Sequence, residues 1–119
     1  MQLTDILTLS HTANQVKADT KKSVLELISN LATKDAPELQ EQQVLKSLIS
    51  REKLGNTGLG HGMAMPHCRM KEIAAPIGIM VHLANPIDFE ANDGQPVDLL
   101  FGLIAPEKEA EEHLEILAI

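Results

Sequence analysis

Two runs between residues 76 and 106 decide the fold. The first is Pro76-Ile77-Gly78-Ile79-Met80-Val81-His82-Leu83, closed by Asn85-Pro86. The second is Pro96-Val97-Asp98-Leu99-Leu100-Phe101-Gly102-Leu103-Ile104-Ala105-Pro106. Each is an apolar stretch of strand length set between prolines, which cannot donate to a sheet ladder and so mark strand limits. Both are nearly continuous rather than alternating, which predicts central strands, Ile77–Leu83 and Val97–Ala105, covered on both faces. Upstream the period changes. Val24, Leu25, Ile28, Leu31 and Ala32 recur at helical spacing, with Lys21, Lys22, Glu26 and Asn30 opposite, predicting a helix over 20–33. Asp35-Ala36-Pro37 breaks it, and a second helix follows over 41–53 with Val44, Leu45, Leu48 and Ile49 inward. A first strand is expected near Leu7–Leu9, and Met63-Ala64-Met65 alternates as a short strand ending at Pro66. The tail from Glu109 begins a helix with Leu114, Leu117 and Ala118 on one side and stops at Ile119 without a cap or breaker. That C-terminal helix is expected to be truncated or to end outside the structure.

Composition narrows the function classes. The 119 residues suit one domain, and no repeat, low-complexity segment or linker divides them. Ten Lys+Arg against 17 Asp+Glu give a net charge of −7, the wrong sign for a protein that neutralises phosphate backbones. With two Phe, no Trp and no Tyr there is no platform for stacking bases, so nucleic acid is not an expected partner. An acidic surface suits encounters with basic patches on proteins. The apolar runs are too short to span a bilayer, and no membrane insertion is expected. Met1-Gln2-Leu3-Thr4-Asp5 carries no secretory n-region, and Cys68 has no second cysteine to bridge, so the expected compartment is the cytoplasm.

The segment before the two strands has a different character. Gly55, Gly58, Gly60 and Gly62 lead into Met63-Ala64-Met65-Pro66-His67-Cys68, a glycine density that marks backbone tightly turned or closely approached. There is no P-loop, no zinc-type Cys/His spacing and no GxSxG. Of the five histidines, His67 stands out, because it follows a proline at a strand end, where a side chain is displayed rather than packed. The glycine loop before it offers free N–H groups for an anion. Arg51, ending the second helix, offers a planar, permanent charge for phosphate. A neutral imidazole with one nitrogen fixed by a hydrogen bond presents the other as a nucleophile. The residues alone do not separate this phosphate pocket from a plain loop beside a surface helix end. His11 and His82 read as structural or surface positions, and Cys68 as a small residue tolerated beside the site.

A resemblance separates the two. Glu52, then Leu59-Gly60 and Met63-Ala64-Met65-Pro66-His67-Cys68, resembles the signature of the type-2 (fructose/mannitol) enzyme IIA domains of the bacterial phosphoenolpyruvate-dependent phosphotransferase system (PTS). Arg51 through Gly62, Asn85-Pro86-Ile87-Asp88-Phe89 and Gln95-Pro96-Val97-Asp98-Leu99-Leu100-Phe101 are similar to its nitrogen-regulatory branch. His113-Leu114 lies where the family has its second active-site histidine. His61 is a departure, since the family often has Asn there, and the family domain continues beyond this length into a further helix. The resemblance implies an α/β fold, a three-layer α/β/α domain around a mixed sheet spanning residues 1–119, with His67 in a shallow cleft at a strand end.

It further implies a phosphocarrier, a phosphotransferase component rather than a stand-alone turnover enzyme, without cofactor or metal. His67 would accept a phosphoryl group on Nε2 from an HPr-type protein, Arg51 would stabilise the phosphate, and His113 would support the site. The primary expectation is a nitrogen-regulatory IIA that controls partners such as potassium transporters or sensor kinases according to its phosphorylation. The alternative is a sugar-specific IIA that passes the group to a IIB domain. A third class, a hydrolase or metal module using His67 and Cys68, suffers from the poor chelating geometry of adjacent residues.

Overall fold

The computed structural model describes residues 12–34 and 36–107. The strand expected near Leu7–Leu9, His11, and the terminal segment with His113 lie outside the described residues.

Helix α1 (Lys21–Lys34) begins behind a reciprocal cap. The Ser23 N–H donates to Thr20 Oγ1 at 3.0 Å and the Thr20 N–H to Ser23 Oγ at 3.1 Å, satisfying a donor that the first helical turn leaves unpaired. Val24, Leu25, Ile28 and Ala32 are buried as the periodicity predicts. Ser29 joins them because its hydroxyl donates to the Leu25 carbonyl at 2.9 Å, which removes the penalty for burying it. Helix α2 (Glu41–Leu54) buries Val44, Leu45 and Leu48 and ends at Gly55, whose N–H donates to the Glu52 carbonyl at 3.2 Å. Each large aliphatic side chain on these faces contributes about 1.5–3 kcal/mol by leaving water.

Among the described residues six strands form one mixed sheet: β1 (Thr12–Val16), β2 (Gly58–Gly60), β3 (Met63–Ala64), β4 (His67–Met70), β5 (Ile77–Ile87) and β6 (Val97–Pro106). Its order is β1-β5-β6-β3-β2, with β4 also on β6. The two proline-bounded runs are β5 and β6, antiparallel with Gly78 opposite Leu103 and Val81 opposite Leu100, and both lie inside the sheet. The α/β class is as expected. The described residues form two layers, the sheet and the helices α1 and α2, which pack on β5 and β4; a third layer, expected from the resemblance, lies outside them.

The structure departs from the sequence reading in three places. β5 continues past Leu83 to Ile87, because its pairing with β6 shifts between His82 and Ile87 and the irregularity accommodates Pro86. β1 has polar residues of low strand propensity, Asn14 and Gln15, and is held by parallel pairing to β5 instead of by an apolar face. The third departure matters most. Strand pairing does not stop at Pro66 but resumes at His67, as β4.

Met63 and Ala64 lie opposite Leu99 and Leu100, and His67 and Cys68 lie opposite Leu103 and Ile104, all in parallel. The offset is the same on both sides (99 − 63 and 103 − 67 are both 36), so β3 and β4 are one line of chain beside β6, interrupted at Met65-Pro66. Pro66 has no N–H to give the ladder, yet its carbonyl still accepts from the Leu103 N–H at 3.0 Å.

Gly102 lies in β6 beneath α1. A Cβ there would sit 2.7 Å from Ile28 Cγ2, so the glycine sets how closely the helix approaches the sheet. Gly102→Ala is expected to overpack this contact and destabilise the domain by about 1–3 kcal/mol. Urea denaturation checks it, and an unchanged midpoint would mean that Ile28 yields freely.

Candidate functional site

The interruption at Met65-Pro66 creates the site. The Met65 N–H donates to the Thr57 carbonyl at 2.9 Å and continues the antiparallel pairing of β2 with β3. The Met65 carbonyl is 2.9 Å from His67 Nδ1. A carbonyl only accepts, so this nitrogen carries the proton. Arg51, in the last turn of α2, donates from Nε to His67 Nε2 at 3.1 Å, which requires a lone pair there. Two independent contacts therefore specify the same neutral tautomer, protonated at Nδ1, with the nucleophilic lone pair on Nε2 facing Arg51. Arg51 also donates from Nη1 to the Gly55 carbonyl at 2.7 Å, so the guanidinium is fixed by the turn that ends its own helix.

Burial holds the His67 imidazole below its ordinary pKa, and the Arg51 and Arg69 charges push the same way. The hydrogen bond to Met65 and the Glu52 carboxylate oppose this without reversing it. The ring is thus neutral at pH 7. Around it lies a cleft of about 230 Å³ lined by Arg51, Asn56, Thr57, Gly58, Leu59, Met65 and His67. A larger open hollow of about 710 Å³ lies on the far side of Glu52, among Lys21, Lys53, Asp88 and Glu90. Its described lining includes no histidine, whereas His67 lines the smaller cleft.

The glycine segment is tightly turned, as its composition predicts, but it does not offer the free N–H groups expected of an anion loop: Gly58–Gly60 form β2 and the Gly58 N–H is taken by Asn56 Oδ1. His61 and Gly62 connect β2 to β3 with φ of 56° and 81°, the pair of positive values that a tight hairpin turn of the I′ type requires. Histidine tolerates this left-handed conformation, as asparagine does, which accounts for His61 in place of Asn. Its N–H donates to Asp93 Oδ2 at 3.2 Å, tying the hairpin to the loop before β6.

His82 lies away from the cleft as expected, its Nδ1 2.9 Å from Asn14 Oδ1. Cys68 is buried, and burial pushes its thiol up to about 11, leaving no thiolate at neutral pH. Among the described residues no three His, Cys, Asp or Glu side chains converge as metal ligands, and no helix is long and apolar enough to cross a membrane.

Sequence reasoning missed Asn56 and Thr57. Asn56 spans the loop, with Nδ2 donating to the Phe89 carbonyl at 2.8 Å and Oδ1 accepting from the Gly58 N–H at 2.7 Å. Asn56-Thr57 between two glycines was the available signal, since such residues bond nearby backbone in turns.

Residues 5–119 match the family described as "Phosphoenolpyruvate-dependent sugar phosphotransferase system, EIIA 2". The chain belongs to that family. This EIIA domain is 48% identical over 117 residues to a nitrogen regulatory protein of Pseudomonas aeruginosa, covering 98% of this chain and 76% of the relative. It is 41% identical over 120 residues to the nitrogen regulatory protein of Escherichia coli, covering 100% and 73%. Among solved structures it superposes on nitrogen regulatory protein IIA-Ntr from Neisseria meningitidis with a TM-score of 0.89 at 38% identity, over 96% of this chain and 77% of that one. The resemblance to the nitrogen-regulatory branch is thereby borne out. The IIA mannitol structure from Escherichia coli, at 20% identity and a TM-score of 0.74 over 92% and 78%, shares the fold.

Because the folded His67 binds its proton less readily than the unfolded chain does, protonation favours unfolding. The EIIA domain is expected to keep its full stability above the ordinary histidine pKa of 6.5 and to lose part of it as the pH falls below that value. NMR titration of the His67 ring should give a midpoint below 6.5. A midpoint above 6.5 would contradict the neutral tautomer.

Proposed function

We propose that this chain is a phosphocarrier of the nitrogen-regulatory branch, taking a phosphoryl group from an HPr-type protein on His67 and controlling partner proteins according to its phosphorylation. The observation that carries the reading is the lone pair of His67 Nε2, aimed at Arg51 in an open cleft while Nδ1 is held by Met65. In the transfer, Nε2 attacks the donor phosphorus and an N–P bond forms. The donor N–P bond breaks, and its electron pair leaves with the donor imidazole. Such a transfer needs placement and charge more than covalent help. Arg51 must release Nε2 as the phosphorus arrives, and its charge then faces the phosphoryl oxygens. The Met65 carbonyl offsets the positive charge that grows on the ring.

The higher identities to nitrogen regulatory proteins, against 32% to the fructose-specific EIIA component of Haloferax volcanii, favour regulation over sugar uptake. His113 enters as a supporting histidine on the family resemblance alone. Its protonated ring would pair with the phosphate without accepting it.

Incubation with phosphoenolpyruvate, enzyme I and an HPr-type donor, followed by intact-mass measurement and phosphopeptide mapping, tests the reading. The wild type is expected to gain one acid-labile phosphoryl group at His67, and His67→Ala none while remaining folded. His113→Ala should slow the transfer with the label still at His67, and label on His113 in the wild type would reverse the assignment. Passage of the group to a cysteine-bearing IIB protein would favour the sugar-specific alternative.

Arg51→Lys keeps a charge but has one nitrogen where two now reach His67 Nε2 and the Gly55 carbonyl. Transfer should weaken by about 1–3 kcal/mol in transition-state stabilisation, the scale of one charge-assisted hydrogen bond. Wild-type kinetics in both Arg51→Lys and Arg51→Ala would remove the side chain from the mechanism.

A further inference from the structure

Glu52 stands next to Arg51 but points to a different task. Its side chain is 6% exposed, and a carboxylate so deeply buried must be paired. Lys21, at the start of α1, lies 2.9 Å from Oε2. Oε2 also accepts from the Thr57 N–H at 3.4 Å, and Oε1 accepts from the Thr57 hydroxyl. The carboxylate therefore grips one residue of the glycine loop at two points. Lys21 is anchored in turn over the ring of buried Phe89, 4.6 Å from its centre.

Thr57 is the residue on which the site hangs. Its carbonyl accepts from the Met65 N–H, and the Met65 carbonyl accepts from His67 Nδ1. Met65 lies in the gap between β3 and β4, where no ladder partner on β6 fixes its peptide. Thr57 holds the Met65 N–H from the β2 side instead. We propose that Glu52 and Thr57 are positioning residues for phosphoryl transfer: the Lys21–Glu52–Thr57 chain anchors Met65 through its N–H, and the carbonyl of the so-anchored residue fixes the Nδ1–H of His67 and directs Nε2 into the cleft. This rests on the reading of His67 as the acceptor.

The substitution that isolates the effect is Thr57→Val, which keeps shape and loses the hydroxyl, with Thr57→Ser as the rescue. NMR of the His67 ring in the unphosphorylated protein reads the orientation directly. In the wild type and in Thr57→Ser, Nδ1–H should exchange slowly with water. In Thr57→Val it should exchange faster, and the ring's titration midpoint should fall, because the bond to Met65 favours the protonated form. Transfer from a phosphorylated HPr-type donor should slow about tenfold in Thr57→Val, the worth of roughly one hydrogen bond, and recover in Thr57→Ser. Glu52→Gln is expected to move exchange and midpoint the same way, and it serves as the second variant should Thr57→Val fail to fold.

A folded Thr57→Val with wild-type exchange and midpoint overturns the inference, even where Glu52→Gln shifts the midpoint, for then the carboxylate acts only through its charge. Failure of the acceptor reading is seen separately. In that case the wild-type label maps to another residue, while the ring measurements, made without phosphate, still report the Glu52–Thr57–Met65 relay.

Discussion

The structure turns on a two-residue gap in an otherwise continuous line of pairing. On either side of Met65-Pro66 the chain keeps the same parallel register with β6, so the gap displaces nothing downstream. What it changes is local. Proline removes one ladder donor to β6, while Met65, on the β2-facing side of the chain, bonds Thr57 through its N–H and His67 through its carbonyl. A buried sheet interior is thus brought within one residue of a half-buried imidazole.

The electrostatics of the cleft follow from where the helix ends. Arg51 sits at the C-terminal turn of α2, and the residues that follow fold back so that the Gly55 carbonyl accepts from its guanidinium. A cation beside a half-buried imidazole keeps the ring neutral, and the same cation is the group that an incoming dianion would meet. In the proposed transfer one residue would therefore serve the resting state and the charged state in opposite senses. Glu52, the next residue, is directed the other way into a pair with Lys21, so its negative charge is held by a partner of its own. The net charge of −7 belongs to the molecule as a whole, whereas Arg51 and Arg69 make the surroundings of His67 locally basic.

Much of the fold was legible in the chain. The helical spacing from Val24 to Ala32 and the proline-bounded runs 77–83 and 97–105 named both helices and both interior strands, because burial on one stripe or on two faces leaves a periodic trace. β1 was not legible, since an edge strand held by backbone pairing needs no apolar pattern, and Asn14 and Gln15 argue against one. β4 was missed for a different reason. A proline was read as an end, while the sheet tolerates it as a gap when the register beyond is preserved. At the site, His67 and Arg51 could be picked out by type and by resemblance. Thr57 could not, because its role lies in a backbone carbonyl and a hydroxyl that any turn threonine possesses.

By itself, then, the sequence determined the class of the fold, the placement of the core and the family to which the chain belongs. These depend on local periodicity and on short ordered motifs, both of which are written in consecutive residues. Tertiary structure alone decided the state of His67. Its tautomer is set by Arg51, 16 positions earlier on a helix, and by a Met65 peptide that Thr57 holds across a hairpin. Hydrogen-bond direction is a property of atoms brought to within about 3 Å of each other, and no spacing along the chain encodes it before the sheet has formed.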